Sequence, residues 1–188
     1  MSPLEAAKTK LLQLIRQKSY RTGDFTLASG KKSSFFVDLK NTTLHPEGAA
    51  CIGDLVIRKV MDEELEIEGI GGLTLGADPI AMAVTLKALE KGKYWPAFIV
   101  RKEMKDHGAI KSIEGSANLK PGARVLVLED VVTTGASGLT AVKRLREAGF
   151  KPVAVLTVID REEGGREAFE REGLKLYALA TLREVQNS

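Results

Sequence analysis

Residues 125–137 read Val-Leu-Val-Leu-Glu-Asp-Val-Val-Thr-Thr-Gly-Ala-Ser, and this stretch decides the fold. Its first four residues are an apolar run that predicts a strand buried on both faces of a parallel sheet. Two carboxylates, Glu129 and Asp130, end the run, and a small, hydroxyl-rich turn with one glycine follows. A helix is predicted next, with apolar side chains at helical spacing and Gly149 placed to end it: Leu139, Val142, Leu145 and Ala148.

A strand, an acidic pair, a Thr/Gly turn and a helix in this order are typical of a sugar-phosphate site. The turn and the helix N-terminus direct unpaired N–H groups and a positive dipole end at a phosphate. The two carboxylates can accept hydrogen bonds from vicinal ribose hydroxyls, directly or through Mg²⁺. A buried strand that ends in Asp before a Thr/Gly turn is also common in α/β proteins, so these features alone leave a purely structural turn equally open.

The thirteen residues resemble, without a gap, the phosphoribosyl diphosphate (PRPP) motif of the type I phosphoribosyltransferases. A Walker-type phosphate loop fits poorly because no Gly-Lys-Ser/Thr closes the turn. The resemblance implies transfer of ribose 5-phosphate from PRPP to a nitrogenous base. Glu129 stands where the family more often has Asp, which keeps the charge and lengthens its reach. The residues that the motif assigns to PRPP are Glu129, Asp130, Val131, Val132, Thr133, Thr134, Gly135, Ala136 and Ser137.

Length and composition suit one α/β domain of 188 residues. The net charge of +3 and the lack of any run of five basic residues argue against nucleic acid as a partner. No apolar stretch approaches a membrane span, and no signal-peptide pattern opens the chain. Cys51 is the single cysteine, so no intrachain disulfide can form, and a reducing, cytoplasmic location is the default expectation.

The hydrophobic pattern elsewhere alternates strands with helices. The N-terminal part is predicted to hold a helix from Pro3 that ends before Gly23 and a hairpin over 25–38 with its turn at 29–32. A helix opened by Pro46, a strand over 67–72, a helix capped by Asp78 and Pro79 and a strand over 97–100 follow. After the opening motif come a strand over 153–159, a helix over 163–172 and a strand over 174–180. This order predicts an α/β fold with a doubly wound, mostly parallel sheet flanked by helices, and ligands at the carboxyl ends of the strands. The chain is expected to be a single phosphoribosyltransferase domain, 1–188, with a small N-terminal hood over about 1–45 and a core over about 46–188.

A long polar segment covers 102–120, and residues 101–108 at its start read Arg101-Lys102-Glu103-Met104-Lys105-Asp106-His107-Gly108. Composition alone favours a solvated turn, whereas a loop of this length is often functional. Cations that fold over a departing pyrophosphate would stabilise the charge on the leaving oxygen. The order Arg-Lys-x-x-Lys-x-His-Gly resembles the catalytic loop of the orotate phosphoribosyltransferases. That resemblance implies diphosphate contacts from Arg101, Lys102, Lys105 and His107, with Lys105 catalytic, and a homodimer whose subunits share their active sites.

Arg161 follows another predicted strand, where a surface ion pair is the commoner role for an arginine. Orotate carries a carboxylate, and guanidinium grips carboxylates in a two-bonded fork. The family resemblance puts Arg161 on that carboxylate and Thr133 on the base. It also implies backbone hydrogen bonds to the pyrimidine edge near Phe36 and Val37.

Two segments depart from the family pattern. Ala28 stands where many members have a lysine, and Ser34 where they have a proline, so Lys31 or Lys32 would have to compensate for the missing charge. The pyrophosphate loop, over 71–79, has Leu75 and Gly76 where a Tyr-Lys pair is usual. Contacts there must come from backbone N–H groups.

The motifs together resemble an orotate phosphoribosyltransferase, a glycosyltransferase of pyrimidine biosynthesis. The implied substrates are orotate and PRPP, with Mg²⁺ held by the diphosphate, the ribose hydroxyls, Glu129 and Asp130. The implied catalytic residues are Lys105, Glu129 and Asp130. A phosphoribosyltransferase for another base and a PRPP-sensing regulator without activity remain as alternatives.

Overall fold

The computed structural model of the chain describes residues 3–26, 32–103 and 112–188. Helix α1 continues into a π-helical turn over Ile15–Ser19, and a 3₁₀ turn covers Ser116–Asn118. The helices are α1 (Pro3–Leu14), α2 (Lys40–Thr43), α3 (Pro46–Asp62), α4 (Ala77–Glu90), α5 (Ala136–Glu147), α6 (Gly165–Glu170) and α7 (Leu182–Gln186). The strands are β1 (Tyr20–Thr26), β2 (Lys32–Val37), β3 (Gly69–Leu73), β4 (Ala97–Val100), β5 (Ile113–Glu114), β6 (Arg124–Val132), β7 (Lys151–Asp160) and β8 (Lys175–Thr181).

The main sheet has the strand order β5-β4-β3-β6-β7-β8. All its neighbouring strands are parallel except β5, which pairs antiparallel with β4 at one edge. Strands β3, β4 and β5 follow one another toward one edge of the sheet, and β6, β7 and β8 toward the other. The direction in which successive strands are added therefore reverses between β3 and β6. In open α/β sheets ligands bind at such a switch point, beyond the carboxyl ends of the strands. The doubly wound, mostly parallel sheet predicted from the sequence is confirmed.

Strand β6 is buried on both faces, as predicted. Val125 and Val127 pack into a hydrophobic cluster with α5 and α6, while Leu126 and Leu128 pack into the main hydrophobic cluster with α1, α3 and α4. Helices therefore cover both faces of the sheet. None of the helices among the described residues is long and apolar enough to cross a membrane.

The N-terminal hairpin begins earlier than predicted. Strand β1 starts at Tyr20 instead of residue 25, because Tyr20 pairs with Val37 and its ring stacks on Phe35 at 5.8 Å. Helix α1 ends well before Gly23, and its Leu11 lies in the same hydrophobic cluster as the main sheet.

Two further expectations are corrected, and one helix was not predicted. Asp78 does not cap α4, because the helix starts at Ala77 and the Asp78 carboxylate accepts a hydrogen bond from Thr74 Oγ1 at 2.7 Å. The polar segment contains β5, where Ile113 is buried against Val100; two residues are too few to give a periodic pattern. Helix α7 was not predicted, although Thr181 and Glu184 form the capping box that signals its start.

Candidate active site

The predicted PRPP motif lies at the carboxyl end of β6. Residues 129–132 are the last four of the strand, and the chain then turns over 133–135 into α5. Gly135 adopts φ +85°, a left-handed conformation that disfavours any side chain. A cavity of about 50 Å³ follows the turn and is lined by Glu129, Val131, Val132, Thr133, Thr134, Gly135, Ala136, Ser137 and Gly138. The motif thus forms one small pocket in front of the N-terminus of a helix of twelve residues.

Glu129 is a buried carboxylic acid, with 6% of its surface exposed. Burial, and to a lesser extent the charge of Asp130, raises the pKa of Glu129 to about 8. Within the described part of the chain its Oε1 atom has no hydrogen-bond partner. A buried acid with an unpaired oxygen beside the turn can donate a hydrogen bond when protonated, or accept one and stabilise positive charge when ionised.

Asp130 is held differently from its neighbour. Burial raises its pKa, although the Val131 N–H, which donates to Oδ1 at 2.8 Å, and the charge of Lys40 both lower it. The Gly76 backbone approaches so closely that a Cβ there would stand 2.6 Å from Asp130 Oδ1. The loop between β3 and α4 therefore touches the acidic pair across the switch point, and Gly76 is what permits the contact.

Lys40, which the sequence did not single out, is a described cation whose charge acts on Asp130. It opens α2 immediately after the hairpin, and its Nζ pairs with Asp38 Oδ1 at 2.7 Å. The hydrogen bond to Asp38 raises the pKa of Lys40, burial opposes this, and the charges of Asp38 and Asp130 add to the rise. The Asp-x-Lys spacing after the hairpin was the available signal, but only the fold shows that it lies near Asp130.

The predicted pyrophosphate loop and the start of the predicted lid share one cavity. A space of about 390 Å³ is lined by Thr74, Asp78, Ile99, Arg101, Lys102, Glu103 and Glu114. It lies at the carboxyl ends of β3 and β4. Two of the four predicted lid cations therefore reach the same region as the loop over 71–79.

The base of the lid is tied to α5. Arg101 pairs through Nη1 with Glu114 at 2.9 Å, and its backbone N–H donates to Ser112 O at 3.0 Å. Arg144 donates to the carbonyl oxygens of both Arg101 and Lys102. Sequence reasoning missed Arg144, which resembles any other polar residue of α5. Lys105 and His107 lie outside the described residues.

Arg161 lies directly after β7, beside the PRPP turn. Its backbone N–H donates to Val132 O at 2.9 Å, which joins it to the residue before Thr133. Its side chain is only 13% exposed, pairs with Glu163 at 2.6 Å, and places the guanidinium 5.1 Å from the Phe35 ring centre. The ion pair considered as an alternative is therefore present, but on an arginine largely buried next to the Thr/Gly turn.

The hairpin carries Phe36 and Val37 on β2. Phe36 is exposed, with its ring centre 5.7 Å from that of Phe25, while Val37 packs against the main hydrophobic cluster. Among the described residues, β1 and β2 form a sheet of two strands, so one edge of β2 has no strand beside it. Its outward backbone groups can pair with a planar ligand edge.

Comparison with known proteins gives one consistent family. The orotate phosphoribosyltransferase of Aquifex aeolicus is 49% identical over 181 residues, which covers 95% of this chain and 97% of that protein. That of Synechocystis sp. is 44% identical over 185 residues, which covers 98% and 91%. The crystal structure of Mycobacterium tuberculosis orotate phosphoribosyltransferase in complex with PRPP superposes with a TM-score of 0.80 at 39% identity and covers 96% of this chain and 99% of that one. No family model matches the chain.

Proposed function

The chain belongs to the orotate phosphoribosyltransferase family, and we propose that it performs the family reaction with the residues gathered at the carboxyl edge of its sheet. The enzyme transfers ribose 5-phosphate from PRPP to orotate in pyrimidine biosynthesis, giving orotidine 5′-monophosphate and pyrophosphate. The observation that carries the residue assignment is the contact between neighbouring strand ends. Arg161, suited to a carboxylate, is hydrogen-bonded to Val132, which leads into a turn suited to a phosphate.

In this proposal the pocket over 133–137 binds the 5′-phosphate through the backbone N–H groups of the turn and the dipole of α5. Glu129 and Asp130 bind the ribose hydroxyls and partner the positive charge that builds on the ribose as the diphosphate leaves. Burial raises the pKa of Glu129 to about 8, and a positive charge beside it would favour its ionised form. Because positive charge builds on the ribose and negative charge on the leaving diphosphate, the reaction depends strongly on charge placement in the site.

The orotate site is proposed between the hairpin and the end of β7. Arg161 would bind the carboxylate, Thr133 would contact the base, and backbone groups near Phe36 and Val37 would pair with the pyrimidine edge. The contact of Phe35 with the Arg161 guanidinium supports this arrangement, because it brings the hairpin to the proposed carboxylate site.

Mg²⁺ is proposed as the cofactor. Carboxylate and phosphate oxygens are the ligands that it prefers, and the unpaired Oε1 of buried Glu129, beside Asp130, fits such a role. The described residues contain no cluster of three or more side chains that could hold a metal alone. The ion would therefore be held mainly by PRPP, with Glu129 and Asp130 nearby, and would neutralise charge on the diphosphate.

A homodimer with shared active sites is proposed from the outer surface of α4. Met82, Leu86 and Leu89 are each half or more exposed and recur on one face of the helix, with Leu75 before it and Tyr94 after it also exposed. A contiguous apolar surface of this kind favours association. In such a dimer Arg101, Lys102, Lys105 and His107 would act on the diphosphate, some of them in the partner's site.

Two broader parts of the proposal concern the chain as a whole. It is taken as a single domain, 1–188, which the packing of α1 and β6 into one hydrophobic cluster supports. A cytoplasmic location suits a chain with one cysteine, since no disulfide is needed in a reducing compartment.

The test is Mg²⁺- and PRPP-dependent consumption of orotate by the purified protein, run beside uracil, hypoxanthine and adenine. Turnover of orotate alone supports the proposed residue roles. Turnover of another base keeps the PRPP site and rejects the orotate site. PRPP binding without turnover of any base identifies a regulator that senses PRPP.

A further inference from the structure

The guanidinium of Arg161 is held on one face and along one edge. Phe35 covers a face, at 5.1 Å from ring centre to Cζ. Along the edge, Nε donates to Glu163 Oε1 at 2.8 Å, and Nη2 lies 2.6 Å from the same oxygen. A guanidinium carries five N–H donors, so the contacts with Glu163 leave Nη1 and the outer N–H of Nη2.

The turn after β7 is built to direct Glu163 back to Arg161. Asp160 is fully buried, and its Oδ1 accepts the Glu162 N–H at 2.8 Å, while its Oδ2 lies 2.8 Å from Arg166 Nε. Glu162 adopts φ +59°, unusual for a residue with a side chain, and Gly164 follows at φ +94°. The chain therefore reverses tightly, and residues 161 and 163 meet.

The arrangement leaves the outer end of the guanidinium available. In the described ranges 3–26, 32–103 and 112–188, Nη1 of Arg161 has no hydrogen-bond partner. Its end, between Nη1 and Nη2, has the two parallel N–H groups that grip a carboxylate in a fork. A freely rotating side chain would present this end in only some of its orientations. The contacts with Phe35 and Glu163 hold the Arg161 side chain in one orientation.

We propose that Glu163 is a positioning residue for orotate, holding Arg161 by its Nε–Nη2 edge so that the Nη1–Nη2 end is presented to the substrate carboxylate. This inference rests on the proposed function, in which Arg161 binds that carboxylate. Orotate selectivity then depends on Phe35, Arg161 and Glu163, and of these only Arg161 contacts the carboxylate. Preorganisation of this kind increases affinity because the cost of ordering the side chain is met during folding.

The opposite role for Glu163 would be that of a competitor. Its carboxylate would occupy the place of the orotate carboxylate and leave when substrate binds. The two roles predict changes of opposite sign when Glu163 is removed. A positioning residue raises the KM for orotate on removal, whereas a competitor lowers it.

The experiment compares the wild type with Glu163→Ala, Glu163→Gln, Arg161→Ala and the matched control Glu162→Gln. Glu162 is the adjacent exposed carboxylate, so its variant removes the same charge from the same turn. The measured quantities are kcat, KM for orotate, KM for PRPP and turnover of uracil, which has no carboxylate. We expect Glu163→Ala to raise the orotate KM about five- to tenfold, as for partial loss of one charge-assisted hydrogen bond. Glu163→Gln should raise the orotate KM less, because the amide oxygen still accepts a hydrogen bond. In both Glu163 variants kcat and the KM for PRPP should stay near the wild-type values. Glu162→Gln should resemble the wild type in all these constants.

Each outcome separates the inference from the function it rests on. A raised orotate KM in both Arg161→Ala and Glu163→Ala supports the positioning role. A raised KM in Arg161→Ala with an unchanged or lowered KM in Glu163→Ala overturns that role and keeps the orotate site. An unchanged KM in Arg161→Ala rejects the orotate site and the positioning role together. A parallel rise in PRPP KM, or an equal effect of Glu162→Gln, would mean that the turn is disturbed as a whole, and would also overturn it.

Discussion

Glu129 and Asp130 are neighbours near the end of β6, but their surroundings stabilise the ionised carboxylate to different extents. Asp130 has a backbone N–H on its carboxylate and the charge of Lys40 nearby, whereas Glu129 is more deeply buried and one of its oxygens has no partner among the described residues. Burial disfavours the charged form of Glu129, so the free protein holds it mostly protonated at neutral pH. An unpaired buried acid costs stability and is typical of residues kept for function.

We expect Glu129→Gln to be more stable than the wild type at pH 8 and close to it at pH 4.5. The folded-state pKa is raised from 4.5 to about 8, so the folded protein keeps a proton that the unfolded chain releases. Wild-type stability therefore falls as pH rises through this window, by up to about 1.4 kcal/mol per pH unit. Gln carries no charge and does not incur this loss.

The measurement is urea unfolding of both proteins at pH 4.5, 6.5 and 8, with Glu162→Gln as the exposed control. The same Glu129→Gln variant should lose about 100-fold in kcat, because a neutral side chain cannot partner the charge on the ribose. A stability difference that does not change with pH would show that Glu129 is ionised in the free protein.

At the scale of elements, the segment proposed as a lid begins where β4 ends, and β5 follows it. Strands β4 and β5 pair through Val100 and Ile113, so the two ends of the segment are held side by side. Arg144 of α5 fixes the first two residues of the segment through their carbonyl oxygens. The position of the first residues of the proposed lid therefore depends on α5, the helix that also borders the proposed phosphate pocket.

Lys105→Ala is expected to reduce kcat by about 100-fold or more while changing PRPP affinity much less. A lid cation that meets the leaving diphosphate contributes most when the charge has developed, which is in the transition state. Steady-state kinetics with orotate and direct PRPP binding would measure the two effects. Equal losses in rate and binding would count against a role of Lys105 in the transition state.

Arg144→Ala is expected to lower kcat about tenfold, because the lid base loses two charge-assisted hydrogen bonds and its orientation. Arg146→Ala is the matched control: it removes the same side chain two residues along α5, where Arg146 pairs with Glu172 instead. Orotate turnover by the two variants is the measurement. Equal activity of both would mean that the contact of Arg144 with the lid base does not matter for catalysis.

At the scale of the whole molecule, the two faces of α4 differ. Ile80, Ala81 and Val84 are buried in the main hydrophobic cluster, while Met82, Leu86 and Leu89 point outward. The loop before this helix reaches Asp130, so an interface on its outer face would lie near the active site. A partner subunit there could contribute lid cations to the site.

Leu86→Glu should convert a dimer to a monomer and reduce orotate turnover. A charge buried in an apolar interface is costly, and we expect the dimer to weaken by at least about 100-fold. Leu44→Glu is the control, since Leu44 is also exposed but lies outside α4. Sedimentation equilibrium would measure the association. An unchanged dimer in Leu86→Glu, or a monomeric wild type, would reject this face as the interface.

Much of the fold follows from local patterns. The run over 125–128 predicted a buried strand because its side chains leave no polar face. The Thr/Gly turn predicted a phosphate pocket because the turn leads directly into a helix, whose N-terminal N–H groups are unpaired. Short elements escaped prediction: β5 and α2 have two and four residues, too few for a periodic signal. The start of α4 was misplaced because Asp78 bonds to Thr74 instead of capping the helix.

The sequence by itself determined the buried strand β6, the turn that leads into α5 and the family, since each is read from residues adjacent in the chain. Only the tertiary structure decided which charges meet: Lys40 near Asp130, Arg144 on the lid base, and Arg161 between Phe35 and Glu163. It also decided that Glu129 has a pKa of about 8. The physical reason is that electrostatic interactions and desolvation depend on distance and burial in space, which the packing of distant segments sets and the order of residues does not state.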